Sequence, residues 1–78
     1  MERRRTICVT GASGYIASVL CAELQARGHH VRGTVRDVER FQKEEVFRGV
    51  ALYQATLLDK SSFEAAFAGC DCVMQYVS

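Results

Sequence analysis

The segment Thr10-Gly11-Ala12-Ser13-Gly14-Tyr15-Ile16-Ala17 constrains the chain more than any other stretch. A β-branched run from Thr6 to Thr10 leads into it, and an amphipathic run from Ile16 to Leu24 leads out. A strand, a glycine-containing turn and a helix start, in that order, are what a nucleotide phosphate site needs. Gly11 reaches backbone angles that other residues avoid, so the chain can turn sharply off the strand. Gly14 has no side chain and lets the backbone come close to a phosphate. Ala17 is small and lets the helix pack tightly on the sheet. The free N–H groups of the first helical turn, together with the helix dipole, favour an anion at that point. An ordinary β–α turn also favours glycine; the legible strand before and helix after favour the phosphate reading.

The rest of the chain alternates in the same way. Thr6–Thr10 is almost wholly apolar or β-branched, as suits a strand covered on both faces. The helix runs from about Gly14 to Arg27, with Ile16, Leu20 and Leu24 on one stripe and Val19 beside it. Gly28 suits the position just past its end. A second strand spans about His30 to Val35. His29 and His30 are adjacent, point to opposite faces of an extended chain, and so share no metal. Asp37 to Arg48 is strongly charged; Phe41 and Phe47 anchor a short helix there, which Gly49 ends. Val50 to Thr56 reads as the third strand. Asp59 or Ser61 caps the next helix, and Ser61-Ser62-Phe63-Glu64 fits a capping box. Phe63, Ala66 and Phe67 form its buried stripe, Gly69 ends it, and Cys72 to Val77 is the fourth strand. The pattern βαβαβαβ with right-handed crossovers gives a parallel sheet in an α/β fold, one domain over residues 1–78.

Composition narrows the function classes. A net charge of +1 argues against nucleic-acid binding driven by bulk charge. The basic start Met1-Glu2-Arg3-Arg4-Arg5 reads as a solvated terminus before a buried strand. No apolar run approaches a membrane span and no signal peptide is visible, so the cytoplasm is the expected compartment. Cys8 and Cys21 fall inside a strand and a helix. Cys70 and Cys72 form C-x-C, not the C-x-x-C of zinc and redox sites. All four are expected to be small buried or half-buried thiols, with no metal site and no disulfide.

Val9-Thr10-Gly11-Ala12-Ser13-Gly14-Tyr15-Ile16-Ala17-Ser18 resembles the cofactor loop of the extended short-chain dehydrogenase/reductases. It is most similar to the branch of dihydroflavonol reductases, cinnamoyl-CoA reductases and related aldehyde or ketone reductases. Gly28-His29-His30-Val31-Arg32-Gly33-Thr34-Val35-Arg36-Asp37 resembles that branch's second strand. Leu57-Leu58-Asp59, Ser62-Phe63 and Gly69-Cys70-Asp71 resemble its third-strand end, next helix and fourth-strand entry. The resemblance covers only the first part of such an enzyme, whose full chain is several times longer.

The resemblance implies a Rossmann-type sheet of order 3-2-1-4, a truncated half of a doubly wound fold, with the cofactor across the carboxyl ends of strands one and four. It implies NADP(H) as the cofactor, with Thr10, Gly11, Ser13, Gly14, Tyr15, Ile16 and Leu57 among the residues that meet it. Arg36 stands where that branch places an arginine for the 2′-phosphate, and Lys43 where it often has a lysine. A guanidinium holds a phosphate with two parallel bonds, and a lysine adds a point charge. Asp37 is the acid that would serve the ribose of NAD instead. Two positions depart from the branch. Thr56 replaces an aspartate near the adenine, and Val77 replaces a small residue in Met74-Gln75-Tyr76-Val77-Ser78.

The family's proton-handling pair, Tyr-x-x-x-Lys, is missing: Tyr15 leads to Val19, Tyr53 leads to Leu57, and Tyr76 is too near the end. No residue of this chain is therefore expected to be catalytic. The expected function is the cofactor-binding portion of an NADP(H)-dependent oxidoreductase that reduces a ketone or aldehyde. The alternative is a non-catalytic nucleotide-binding or protein-interaction α/β module. The expected partner is the dinucleotide, with no nucleic acid and no membrane. The fourth strand, with Cys72, Val73, Met74, Tyr76 and Val77, is too apolar for a free edge, so self-association through it is also expected.

Overall fold

A computed structural model of the chain describes residues 4–56 and 58–75. Its elements are β1 (Thr6–Thr10), α1 (Tyr15–Ala26), β2 (His30–Val35), α2 (Val38–Phe41), β3 (Ala51–Gln54), α3 (Glu64–Phe67) and β4 (Cys72–Gln75). The four strands form one parallel sheet in the order β3-β2-β1-β4, the order expected of a Rossmann-type half-fold. The register sets Val9 beside Gly33 on one side and Met74 on the other.

Strand alternation decides which residues meet α1. Ile7, Val9, Val31 and Val35 share a cluster with Ala17, Cys21 and Leu24 of the helix, and with Phe47. Cys8, Arg32 and Thr34 fall at the intervening positions and so take the opposite face. The helix itself is turned from the expected phase. Ala17, Cys21 and Leu24 are its buried residues, while Ile16 and Val19 are 66% and 52% exposed. Small residues line the contact because the helix lies close on the sheet, and that closeness leaves the branched side chains outside.

The charged stretch after β2 forms less helix than its length allows. Helix α2 is a single turn capped by Asp37, whose carboxylate accepts from the Arg40 N–H at 3.3 Å. A 3₁₀ turn at Glu45–Phe47 follows, and the Phe41 and Phe47 rings meet edge-on at 6.2 Å. Strand β3 stops at Gln54, short of the expected Thr56, because Thr56 turns to bridge Asp59. The expected capping box at Ser61 does not form. Asp59 is the cap instead, accepting from the Ser61 N–H at 3.1 Å and the Ser61 hydroxyl at 2.6 Å. Lys60–Phe63 is consequently a 3₁₀ turn, and α3 is reduced to the single turn Glu64–Phe67. The part of the expected fourth strand beyond Gln75 lies outside the described residues.

Candidate functional site

The β1–α1 turn is shaped locally by glycine and then fastened to β2. Gly11 takes φ +65°, the left-handed region that favours glycine, and the Gly14 N–H donates to the Gly11 carbonyl at 3.0 Å. Thr34 of β2 accepts twice from the turn. Its hydroxyl takes the Gly11 N–H at 3.2 Å and its carbonyl takes the Ala12 N–H at 2.9 Å. Thr34 is buried, and so is Ala12, which lies over Gly33. A Cβ on Gly33 would stand 2.9 Å from that of Ala12, so the missing side chain is what lets the turn sit this close to the sheet.

Gly14 is the N-cap of α1 and offers no side-chain bond to the first helical N–H groups. The helix start is therefore left with unsatisfied donors. Tyr15 and Ile16 are its first two residues, both exposed.

A cleft of about 580 Å³ opens at the carboxyl ends of the strands. Thr10, Gly11 and Ser13 line it from the β1–α1 turn, and Thr34, Val35 and Arg36 from the end of β2. Ala55, Thr56, Leu58 and Lys60 line it from the chain leaving β3, with Phe63 and Phe67 behind them and Gln75 at the end of β4. Among the described residues its only charged lining residues are Arg36 and Lys60, and neither side chain has an ion pair or hydrogen bond to another described residue. No carboxylate of a described residue lines it.

Of the sequence-derived candidates, Thr10, Gly11, Ser13 and Arg36 line this cleft. Gly14, Tyr15 and Ile16 make up the adjoining helix start, but they are not part of the lining. Lys43 is exposed in the turn after α2 and is not part of the lining either. Leu57 and Val77 lie outside the described residues. Asp37 is used as the cap of α2.

Sequence reading missed Thr34, Lys60 and Gln75, and took Phe63 and Phe67 only as a helical stripe. A polar residue at the end of an apolar strand was the available signal for Thr34. Nothing local marks Lys60.

The thiols lie away from the cleft. Burial, reinforced by the neighbouring Cys70, pushes the Cys8 thiol up to about 12 against the opposing pull of Arg32. Burial pushes the Cys21 thiol up to about 11. Both stay neutral around pH 7. Cys70 and Cys72 are half-buried, so the burial expected of the four cysteines is what the fold provides. Among the described residues there is no cluster of three His, Cys, Asp or Glu side chains placed to hold a metal ion, and no helix long and apolar enough to cross a membrane.

The sequence and the fold both have counterparts in known proteins. The NmrA-like family matches residues 3–78. The chain belongs to the NmrA-like family. This NmrA-like chain is 40% identical to cinnamoyl-CoA reductase 1 of Oryza sativa subsp. japonica, over 96% of its own length and 24% of the reductase. It is 38% identical to dihydroflavonol 4-reductase of Arabidopsis thaliana, over 91% of its own length and 20% of the reductase. Among solved structures, it is similar to NmrA, a negative transcriptional regulator in complex with NAD, with a TM-score of 0.80 and 30% identity over 95% of this chain and 24% of that one. The chain thus spans between a fifth and a quarter of the length of these relatives.

Proposed function

We propose that residues 1–78 form the dinucleotide-binding portion of an NADP(H)-dependent oxidoreductase that reduces a ketone or aldehyde. The observation that carries this reading is the cleft at the strand ends, bounded by a glycine turn and lined by an arginine that pairs with no described residue and by no carboxylate of a described residue. Two relatives named as reductases support the reaction class.

The residues fit the group. Gly11 and Ser13 border the cleft where a diphosphate would lie, and the uncapped N–H groups of α1 favour its charge. Arg36, just past the end of β2, has no side-chain partner among the described residues and would take a 2′-phosphate. Asp37, the acid that would otherwise seat an NAD ribose, already accepts from the Arg40 N–H. Bound NADPH would supply the hydride. The chain's own part is to bind and orient, since Tyr-x-x-x-Lys is absent from its sequence.

Titration calorimetry with NADP and NAD tests the reading. Charge-assisted phosphate bonds contribute on the order of 1.5–3 kcal/mol each, or one to two decades of affinity. NADP should therefore bind at least about tenfold tighter than NAD. Arg36→Ala should remove most of that gap and leave NAD affinity nearly unchanged. Equal affinities in the unaltered chain would make Arg36 a surface charge only.

A second reading is favoured by the likeness to NmrA, a transcriptional regulator in complex with NAD. On that reading the chain belongs to a non-catalytic nucleotide-binding module, and the same titration gives NAD affinity equal to or above that of NADP.

A further inference from the structure

Lys60 occupies a place that no local sequence pattern announces. Strands β2 and β3 are parallel neighbours with Val35 opposite Gln54, so Arg36 and the chain leaving β3 emerge side by side. The Ala55 N–H donates to the Val35 carbonyl at 3.0 Å and keeps them together past the strand ends. The chain then folds back on itself. Thr56 bridges Asp59, and Ser62 accepts from the Thr56 N–H at 3.0 Å while donating to the Asp59 carbonyl at 2.6 Å. That fold-back brings Lys60 into the lining of the cleft that Arg36 also lines.

Neither side chain forms an ion pair or hydrogen bond with another described residue. The nearest carboxylates in sequence accept from other groups, Asp59 from Ser61 and Asp37 from the Arg40 N–H. No acid among the described residues shares the lining. Two uncompensated positive charges beside one cavity are matched by a group of nearly two negative charges. A phosphate monoester at neutral pH is such a group, at about −1.5 to −2. Each diphosphate oxygen pair of a dinucleotide carries less charge and has the helix start of α1 to meet it.

We propose that Lys60 is a further cation of the 2′-phosphate seat, acting with Arg36 from the β3 side. This rests on the NADP reading above. Arginine supplies the planar two-bond contact; lysine supplies a mobile point charge from the β3 side. The two approach the phosphate from adjacent strand ends.

The test uses two fragments, 2′,5′-ADP and 5′-AMP, titrated calorimetrically into the chain and its Lys60→Gln, Lys60→Arg and Lys43→Gln variants. Lys60 is exposed, so these changes leave the core intact. Lys60→Gln should weaken 2′,5′-ADP about tenfold and shift 5′-AMP by less than about twofold. Lys60→Arg should restore most of the loss, and Lys43→Gln gives the contribution of the other nearby lysine for comparison. Equal weakening of both ligands by Lys60→Gln would place Lys60 on the adenosine and overturn the proposal. So would a loss confined to Lys43→Gln. A preserved preference for 2′,5′-ADP with Lys60→Gln silent overturns the role of Lys60 alone and leaves the NADP reading standing. No such preference in the unaltered chain overturns that reading and this inference together.

Discussion

On the α1 face of the sheet, Val9, Ala17 and Cys21 are almost fully buried and the contact is apolar throughout. On the opposite face, side-chain donors meet the carbonyls at the end of the single-turn α3, the Cys70 thiol donating to the Ala66 carbonyl at 3.1 Å and Arg32 doing most of the rest. Arg32 Nη1 donates to the carbonyls of Ala66 and Ala68 and lies 3.6 Å from the Cys70 sulfur, while its guanidinium rests over the Tyr53 ring at 5.6 Å. A twelve-residue helix can bury a continuous stripe; a four-residue one cannot, and its end carbonyls need a donor. The first face is therefore fixed by shape, and the second largely by a charge bonded to the carbonyls at a helix end. The difference teaches that substitutions on the two faces should fail by different routes.

Gly33→Val should have the largest effect. Its Cβ would meet that of Ala12 at 2.9 Å and side chains of Val50 and Leu52 nearby, so the β1–α1 turn must lift off β2. Overpacking against a second, backbone-fixed Cβ lies at the top of the usual range, about 3 kcal/mol or more, a large part of a small domain's stability. Urea unfolding followed by circular dichroism should show a chain that is largely unfolded in buffer. An unchanged midpoint would mean the α1 face is looser than its geometry.

Arg32→Met should cost somewhat less, about 1.5–3 kcal/mol for bonds from a charged donor. The loss should be uneven. Amide exchange should accelerate across α3 and the residues after it, with α1 amides keeping most of their protection. Uniform acceleration would show the two faces to be one cooperative unit and would break the contrast.

The smallest effect sharpens the comparison, because each face holds one raised thiol. Cys8 lies opposite the α1 face and Cys21 on it, with folded values of about 12 and 11 against an ordinary 9.0. Between those values the folded chain holds protons that the unfolded chain has lost. Stability is thus complete below pH 9 and falls as pH rises toward 11 and 12. By pH 10 each thiol should have cost on the order of 1 kcal/mol. Cys8→Ala and Cys21→Ala should each flatten part of the decline in the urea midpoint. A midpoint that holds steady from pH 8 to pH 10 would contradict the burial of both.

The elements set by short-range chemistry were legible in the sequence. β1 was read with its observed bounds, α1 to within a residue at each end, and the parallel order followed from the alternation together with the family resemblance. Parts of the cleft were legible too, because Gly11 and Ser13 belong to a turn with a recognisable pattern and Arg36 ends a strand. The misread features have different causes. The phase of α1 depends on how closely the helix approaches the sheet, which periodicity does not encode. Of the two caps the sequence offered, Asp59 prevails because its carboxylate accepts from the Ser61 N–H and hydroxyl, and the capping box at Ser61 does not form.

By itself, then, the sequence determined a glycine turn between a buried strand and a helix, and with it the parallel alternation. Backbone angles, β-branching and apolar spacing act over a few residues, so they can be read along the chain. Only the tertiary structure decided that Thr34 anchors that turn, that Gly33 must be bare beneath Ala12, and that Lys60 joins Arg36 at one cleft while Lys43 stays outside it. Those relations depend on which strand ends lie side by side, and on a fold-back held by Thr56, Asp59 and Ser62. They are distances across the sheet, and no spacing along the chain specifies them.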